Sequence, residues 1–133
     1  TEAFRLMTDS NTISGVDPNT VLGVINDIAY AAGASGMVGG QMVDVELEGK
    51  QVDISDVEYI HTHKTGALIT SSVRIGARLG GGTKEEIELL SMYGSAIGLA
   101  FQTVDDILNV EGDEAILGKS LTGLFHYPLG SYK

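Results

Sequence analysis

The sequence predicts an all-α protein whose long helices pack as a bundle. Apolar residues recur at the three- and four-residue spacing of amphipathic helices, and no strand-like alternation persists along the chain. The 133 residues include only two prolines, and the polar connections between the predicted helices are short. Long helices joined by short connections are typical of helical bundles.

The chain opens within a helical pattern. Residues 1–7, TEAFRLM, are mostly apolar, yet no cap or other start signal precedes them. We therefore expect the natural chain to begin upstream of this sequence.

The first long helix is predicted to run from about Pro18 towards Glu48. Asp17 is a suitable N-cap residue, and proline is favoured at the first helical position. Three glycines spaced three and four residues apart share one face of this helix: Gly33, Gly36 and Gly40. This smooth face indicates close packing against another helix or, alternatively, room for a ligand.

Two further helices follow, and each has its own start signal. Ser55 and Glu58 have the spacing of a capping box, and the helix that they begin should end at a run of three glycines. Thr83 and Glu86 have the same spacing, and the last helix should continue to about Glu111.

Composition excludes several classes of function. The net charge of -10 disfavours a general nucleic-acid or anionic-membrane surface, which would need a basic patch. The absence of cysteine rules out disulfides, thiolate zinc sites and cysteine nucleophiles, and it suits a cytoplasmic protein. No apolar run reaches about 18 residues, so we expect no membrane span.

Two adjacent carboxylates, Asp105 and Asp106, lie in an apolar part of the last helix. A helix that is apolar all round should be buried, and buried carboxylates need a positive partner. Asn109 follows Asp105 by one turn, so three oxygen-bearing side chains line one rim of the helix. Hard oxygen ligands favour Mg²⁺. The alternative is a solvated acidic helix end.

Two polar groups on the earlier helices could face a ligand. Lys64 and Thr65, beside small residues, offer an ammonium and a hydroxyl to a phosphate, although an exposed lysine is the simpler interpretation. Gln41 and Asp44 share a helix face and could both point inward, or could form a solvated polar face.

The histidines are predicted to be packed or surface residues and not metal ligands. Glu58 and His61 match the Glu-x-x-His pattern of di-iron bundles, but that site needs a second copy of the pattern, which this sequence lacks. His61 and His63 are expected to point to different faces of their helix.

Three segments together resemble a known family. In order, they are GMVGGQMVDVELEGK, YIHTHKTGALITSSVRIGARLGG and YGSAIGLAFQTVDDILNVEGDEAILGK. The sequence over residues 1–119 is similar to the C-terminal half of the trans-isoprenyl diphosphate synthases, which include farnesyl and geranylgeranyl diphosphate synthases. Residues 1–133 would then form the C-terminal portion of a single domain with the isoprenoid synthase fold.

The resemblance implies a Mg²⁺-dependent prenyltransferase. Such an enzyme condenses isopentenyl diphosphate with an allylic diphosphate to give a longer prenyl diphosphate. Asp105 and Asp106 match the second aspartate-rich motif, which ligates Mg²⁺, and Asp44 matches an acid near the metal and diphosphate. Asn109 stands where the family usually has a third aspartate and can supply a neutral oxygen.

The resemblance also assigns substrate-binding residues. Lys64 and Thr65 match the diphosphate-binding Lys-Thr pair, and Gln102 matches a glutamine of the substrate pocket. Lys119 matches a lysine that reaches the allylic diphosphate, and Gln41 is placed in the same substrate site. Lys64, Asp105 and Lys119 are the predicted catalytic residues.

The resemblance is incomplete. The first aspartate-rich motif and the cationic residues for isopentenyl diphosphate are absent, so this piece alone is expected to be inactive. An alternative is a non-catalytic regulatory subunit of a heteromeric prenyl synthase, and a helical metal-storage bundle is a third possibility. Family members usually pair as homodimers, which we expect here as well.

Overall fold

The computed structural model describes the backbone of residues 1–111 and the side chains of residues 1–108. All regular structure within this range is helical, which confirms the predicted all-α class. Six α-helices and one π-helical turn follow in order: α1 (Glu2–Met7), α2 (Pro18–Ala32), α3 (Met37–Leu47), α4 (Ile54–Ile60), the π-helical turn (His61–Gly66), α5 (Ala67–Leu79) and α6 (Lys84–Glu111).

Two of the predicted helix starts are confirmed. The Asp17 carboxylate accepts a hydrogen bond from the backbone N–H of Thr20 at 2.9 Å, one turn into α2. At the start of α6, the backbone N–H of Thr83 donates to Glu86 Oε2 at 2.7 Å, and the backbone N–H of Glu86 donates to Thr83 Oγ1 at 3.3 Å. These reciprocal bonds satisfy N–H groups that have no partner within the helix.

The predicted capping box of Ser55 and Glu58 is wrong. Helix α4 begins earlier, because the Asp53 carboxylate accepts from the backbone N–H of Asp56 at 3.1 Å. The Asp56 side chain in turn accepts from the backbone N–H of Asp53 at 3.1 Å. Aspartate at both positions therefore forms the same reciprocal arrangement two residues upstream.

The single helix predicted from Pro18 to Glu48 is also wrong, because residues 33–36 separate α2 from α3. Glycine has a low helix propensity, so interrupting the helix at two glycines within four residues costs little free energy. A Cβ atom on Gly36 would lie 2.1 Å from the carbonyl oxygen of Ala31, so the tight turn requires glycine at this position.

The π-helical turn and α5 form the central rod of the bundle. Helix α5 lies between α2 and α6, and the π-helical turn packs against α3 and α6. A Cβ atom on Gly40 would lie 2.3 Å from the backbone nitrogen of Lys64, and one on Gly98 would lie 2.9 Å from Cα of Gly66. The predicted role of Gly40, close packing of one helix against another, is thus confirmed.

A group of charged residues joins α2 to the C-terminal end of α5, which lies away from the π-helical turn and is called the distal end below. Asp27 Oδ2 accepts from Arg78 Nη2 at 3.0 Å and from Arg78 Nε at 3.2 Å. Arg74 Nε donates to the same oxygen at 3.3 Å. The side chain of Asp27 is only 12% exposed, so these guanidinium groups take the place of water around its charge.

Helix α6 is not buried on all sides, contrary to the prediction from its apolar sequence. Phe101, Val104 and Ile107 are between 51% and 56% exposed. The reason is that the described helices pack along one side of α6, through α5 and the π-helical turn. The buried apolar residues of the described chain are correspondingly few: Val21, Val24, Ala31 and Ile60.

By length and apolar composition alone, the interval Pro18–Leu47 is sufficient to cross a membrane. The break at residues 33–36, however, divides it into helices of 15 and 11 residues. Both are shorter than the roughly 20 residues that a span needs. The absence of a membrane span stays a prediction, which the broken helix favours.

Candidate functional site

The π-helical turn His61–Gly66 carries the polar residues of the candidate site. The i→i+5 geometry is rare and occurs mostly as single turns within α-helices, frequently at functional sites. Here the turn lies between Gly40 of α3 and Gly98 of α6, whose missing side chains allow all three backbones to approach. Side chains from α3, α6 and the turn therefore meet in one place.

Lys64 and Asp44 form a half-buried ion pair across this junction. Lys64 Nζ donates to Asp44 Oδ2 at 2.7 Å, and the two side chains are 16% and 12% exposed. Asp44 thus points inward, as predicted. Gln41, three residues earlier on α3, is exposed, which favours the solvated of the two orientations left open for it, and its place in the substrate site stays a prediction.

His61 lies against Asp106 on the same junction. His61 Nε2 is 2.9 Å from Asp106 Oδ2, which is a hydrogen-bonding distance, but Nε2 has no well-aligned acceptor among the described residues. We interpret the pair as an electrostatic contact that a small rotation of the carboxylate would turn into a hydrogen bond. The other oxygen, Asp106 Oδ1, is buried and has no hydrogen-bond partner within residues 1–108.

The remaining predicted site residues are placed as follows. Asp105 and Thr65 are half-buried, and Gln102 is buried at 7% exposure on the face of α6 that meets the π-helical turn. Asn109 belongs to α6, but its side chain lies outside the described residues, as does all of Lys119. Their assigned roles stay predictions.

Among the described residues, Asp44 and Asp106 each bring a carboxylate to this junction, and the ammonium of Lys64 faces Asp44. An unpartnered carboxylate oxygen is costly to bury, so Asp106 Oδ1 fits a cation.

A hard divalent cation suits this donor set. Mg²⁺ takes one or two protein carboxylates, keeps waters and binds substrate phosphates. Within the described residues, no group of three or more acidic or histidine side chains is arranged to hold a metal by itself. The described residues thus fit part of a Mg²⁺ coordination shell that a phosphate ligand would complete.

His61 is a site residue that the sequence reasoning missed. It was expected to be a packed or surface residue, and it is indeed buried, but it is buried against Asp106. The available signal was its position, one turn before Lys64 and Thr65. The π-helical geometry, which the sequence pattern did not indicate, turns both His61 and Lys64 towards carboxylates.

The family model of polyprenyl synthetase matches residues 2–124. The chain belongs to the polyprenyl synthetase family. The resemblance to isoprenyl diphosphate synthases inferred from three sequence segments is thereby confirmed.

Curated relatives and solved structures agree with this membership. The chain is 44% identical over 120 residues to farnesyl diphosphate synthase of Escherichia coli, and 44% identical over 119 residues to a chloroplastic geranylgeranyl pyrophosphate synthase of Capsicum annuum. These alignments cover 90% and 89% of this chain but only 40% and 32% of the relatives.

Among solved structures, a geranyltransferase from Helicobacter pylori, complexed with magnesium and isoprenyl diphosphate, superposes with a TM-score of 0.79 at 29% identity. The superposition covers 90% of this chain and 39% of that one. The similarity confirms the all-α isoprenyl diphosphate synthase fold.

Proposed function

We propose that this chain supplies part of the active site of a prenyltransferase that condenses isopentenyl diphosphate with an allylic diphosphate. The observation that carries the proposal is the π-helical turn, which sets Lys64 and His61 against the carboxylates of Asp44 and Asp106. Named synthases among the relatives support the same reaction class. The chain spans 32% to 40% of those relatives, so the reaction belongs to the complete gene product.

In this proposal, the described residues bind and orient the diphosphate of the allylic substrate. Asp105 and Asp106 hold Mg²⁺, with Asp44 nearby and Asn109 contributing a neutral oxygen. Bound Mg²⁺ stabilises the negative charge that develops on the departing diphosphate. Lys64 contributes a point charge to that diphosphate, and Asp44 holds its ammonium in position at 2.7 Å.

The other assigned residues complete the binding surface. Thr65 donates a hydroxyl hydrogen bond to the diphosphate, and buried Gln102 lines the substrate pocket beside the carboxylates. Lys119 reaches the allylic diphosphate from the segment that follows α6. Gln41, although exposed in the described chain, remains assigned to the same substrate site.

The proposal also covers the domain organisation, the oligomeric state and the cellular compartment. Residues 1–133 are the C-terminal portion of a single isoprenoid synthase domain, which works as a homodimer in the cytoplasm. The absence of cysteine is compatible with that compartment. The regulatory-subunit alternative is not favoured, because a purely structural partner would have no physical need for Lys64, Asp105 and Asp106 together.

The test is cation-dependent binding of an unreactive allylic diphosphate analogue, geranyl thiodiphosphate, to the complete gene product. We expect binding by calorimetry in Mg²⁺, its loss in EDTA, and its loss in Asp105→Asn/Asp106→Asn. The matched control is Glu85→Gln, which removes one charge from an exposed position at the other end of α6 and should bind normally.

Product formation from labelled isopentenyl diphosphate should follow the same pattern. Binding that survives both EDTA and the double substitution would overturn the proposed role of the carboxylates. Cation-dependent binding without any condensation would instead favour the regulatory alternative.

A further inference from the structure

His61 is the buried polar residue of the site that the proposed reaction leaves without a role. It lies on the π-helical turn and is 6% exposed, whereas Asp106, which it contacts, has a side chain that is 34% exposed. A histidine buried only for packing has no need of a carboxylate at 2.9 Å. Phenylalanine or leucine would fill such a volume without the desolvation cost of an imidazole.

The two oxygens of Asp106 have different surroundings. Nε2 of His61 lies beside Oδ2, while Oδ1 is buried and lacks a hydrogen-bond partner within the described side chains. The small rotation that aligns Oδ2 with an N–H at Nε2 would hold the carboxylate through that oxygen, and the direction of its other oxygen would then be fixed. Metal-ligating carboxylates are commonly held in this way by a hydrogen-bond donor behind them.

We infer that His61 is a positioning residue that fixes Asp106 through Oδ2 and thereby leaves Oδ1 for the cation of the site. This inference rests on the proposed function, because it assigns a support to one of the carboxylates placed there as a metal ligand. An imidazole suits the task, because an N–H at Nε2 can donate to Oδ2 once the two are aligned and leaves the carboxylate its charge. A lysine or arginine would compete with the cation for that charge.

The π-helical turn also connects His61 to Lys64, the residue proposed to bind the diphosphate. His61 and Lys64 belong to the same turn, and each contacts one carboxylate, from α6 and α3 respectively. The separation between the ligand oxygen of Asp106 and the ammonium of Lys64 is therefore set by one short backbone segment. Gly40 and Gly98, packed on that segment, prevent it from shifting. His61 thus aligns the cation with the amine that meets the same diphosphate.

The test compares two substitutions of His61 with a control at His63. His61→Phe keeps the bulk of the ring but removes the N–H, and His61→Gln keeps an N–H donor. His63 stacks on Tyr59 with ring centroids 3.9 Å apart, so His63→Phe keeps that contact and alters the same turn without touching Asp106. The probe is Mn²⁺ with a fixed concentration of inorganic pyrophosphate, and free Mn²⁺ is measured by electron paramagnetic resonance in the complete gene product.

We expect His61→Phe to weaken Mn²⁺ binding by about ten- to a hundred-fold. His61→Gln should recover most of the affinity, and His63→Phe should match the wild type. In the condensation assay, His61→Phe should raise the Mg²⁺ concentration for half-maximal rate by a similar factor, with a much smaller loss of rate at saturating Mg²⁺. A general folding defect would lower the rate at every Mg²⁺ concentration.

The failures of the two proposals are distinguishable. If the wild type binds Mn²⁺ through Asp106 and His61→Phe binds it equally well, the positioning role is wrong and the proposed function stands. If Asp106→Asn binds Mn²⁺ and pyrophosphate as tightly as the wild type, the proposed metal site itself is wrong. Equal losses in His61→Gln and His61→Phe, with normal folding by circular dichroism, would also overturn the role of the N–H donor.

Discussion

The two ends of the central rod both hold buried carboxylates, but with opposite balances of charge. At the distal end of α5, one aspartate, Asp27, accepts from two guanidinium groups, those of Arg74 and Arg78. At the π-helical end, the ammonium of Lys64 faces Asp44, and within residues 1–108 Asp106 contacts the imidazole of His61. Among these side chains, the distal end has two guanidinium groups for one carboxylate, and the π-helical end has two carboxylates for one ammonium group.

The difference distinguishes an ion group whose charges are matched by neighbouring side chains from the group that we propose to bind a charged ligand. Asp27 has its charge fully matched within the chain, so it links α2 to α5 without any further partner. Asp106 retains a buried oxygen without a hydrogen bond among the described residues, which costs stability. Sites that bind charged ligands commonly retain such an imbalance because the ligand corrects it.

The largest expected effect comes from the packing that supports the π-helical end. Gly40→Val would place a branched side chain where even a Cβ atom is 2.3 Å from the backbone of Lys64. We expect the free energy of unfolding to fall by about 3 kcal/mol, measured by urea denaturation.

The matched control for this substitution is Gly76→Ala in α5, where an added Cβ atom meets nothing within 4 Å. It should stabilise the protein by about 0.5 to 1 kcal/mol, because alanine is the better helix former. Equal effects at the two glycines would contradict the packing that we describe.

Removing charge at the π-helical end should weaken ligand binding but not stability. Asp106→Asn is expected to reduce the affinity for Mn²⁺ with pyrophosphate about 100-fold, which corresponds to about 2.7 kcal/mol. In EDTA the melting temperature should stay the same or rise, because a buried carboxylate oxygen without a partner has been neutralised. A large loss of stability in EDTA would show that Asp106 is primarily a structural residue.

The same chemical change at the distal end should have the opposite consequence. Asp27→Asn leaves Arg74 and Arg78, which are 36% and 28% exposed, without a counter-charge. We expect a loss of about 1 to 2 kcal/mol, reduced by that exposure, in the free energy of unfolding. Affinity for Mn²⁺ with pyrophosphate should not change, and a change there would mean that the two ends are coupled.

The smallest expected effect lies outside both ends, at the start of α6. Hydrogen bonds from the backbone N–H and hydroxyl of Thr83 lower the pKa of the Glu86 carboxyl below its ordinary value. The stabilisation is therefore fully present above the pKa of the unfolded chain, about 4.3, and is lost as pH falls through the lower folded value.

Thr83→Ala should raise the pKa of Glu86 part of the way back, as followed by carboxyl ¹³C titration. The control is Thr103→Ala, which removes a hydroxyl bonded to the carbonyl of Leu99 in the same helix. That substitution should leave the Glu86 titration curve unchanged, and a shift there would mean that the Thr83 hydrogen bonds are not the cause.

Much of the fold could be predicted from local sequence signals. The caps at Asp17 and Thr83 and the all-α class depend on short-range rules, and all three are confirmed. The break at residues 33–36 could not be placed, because several glycines in one predicted helix indicate weakness without fixing where the chain turns. The exposure of the apolar face of α6 depends on what packs against it, which periodicity does not reveal.

The candidate site was predictable residue by residue but not as an arrangement. Resemblance selected Asp44 and Lys64, and the structure brings these two together at 2.7 Å. It did not select His61, whose contact with Asp106 depends on a π-helical turn that changes side-chain direction and that the sequence pattern does not indicate.

The π-helical turn has a consequence for how this site can change over time. A wide turn accommodates one residue more than an α-helical turn, so deleting a single codon within positions 61–66 would restore a regular α-helix. The helices on either side would keep their alignment, because the wide turn absorbs the extra residue, but side chains within the segment would point in new directions. A protein with such a deletion would keep its helices but lose the alignment between amine and carboxylates, so length in this segment should be far less tolerant of change than side-chain identity.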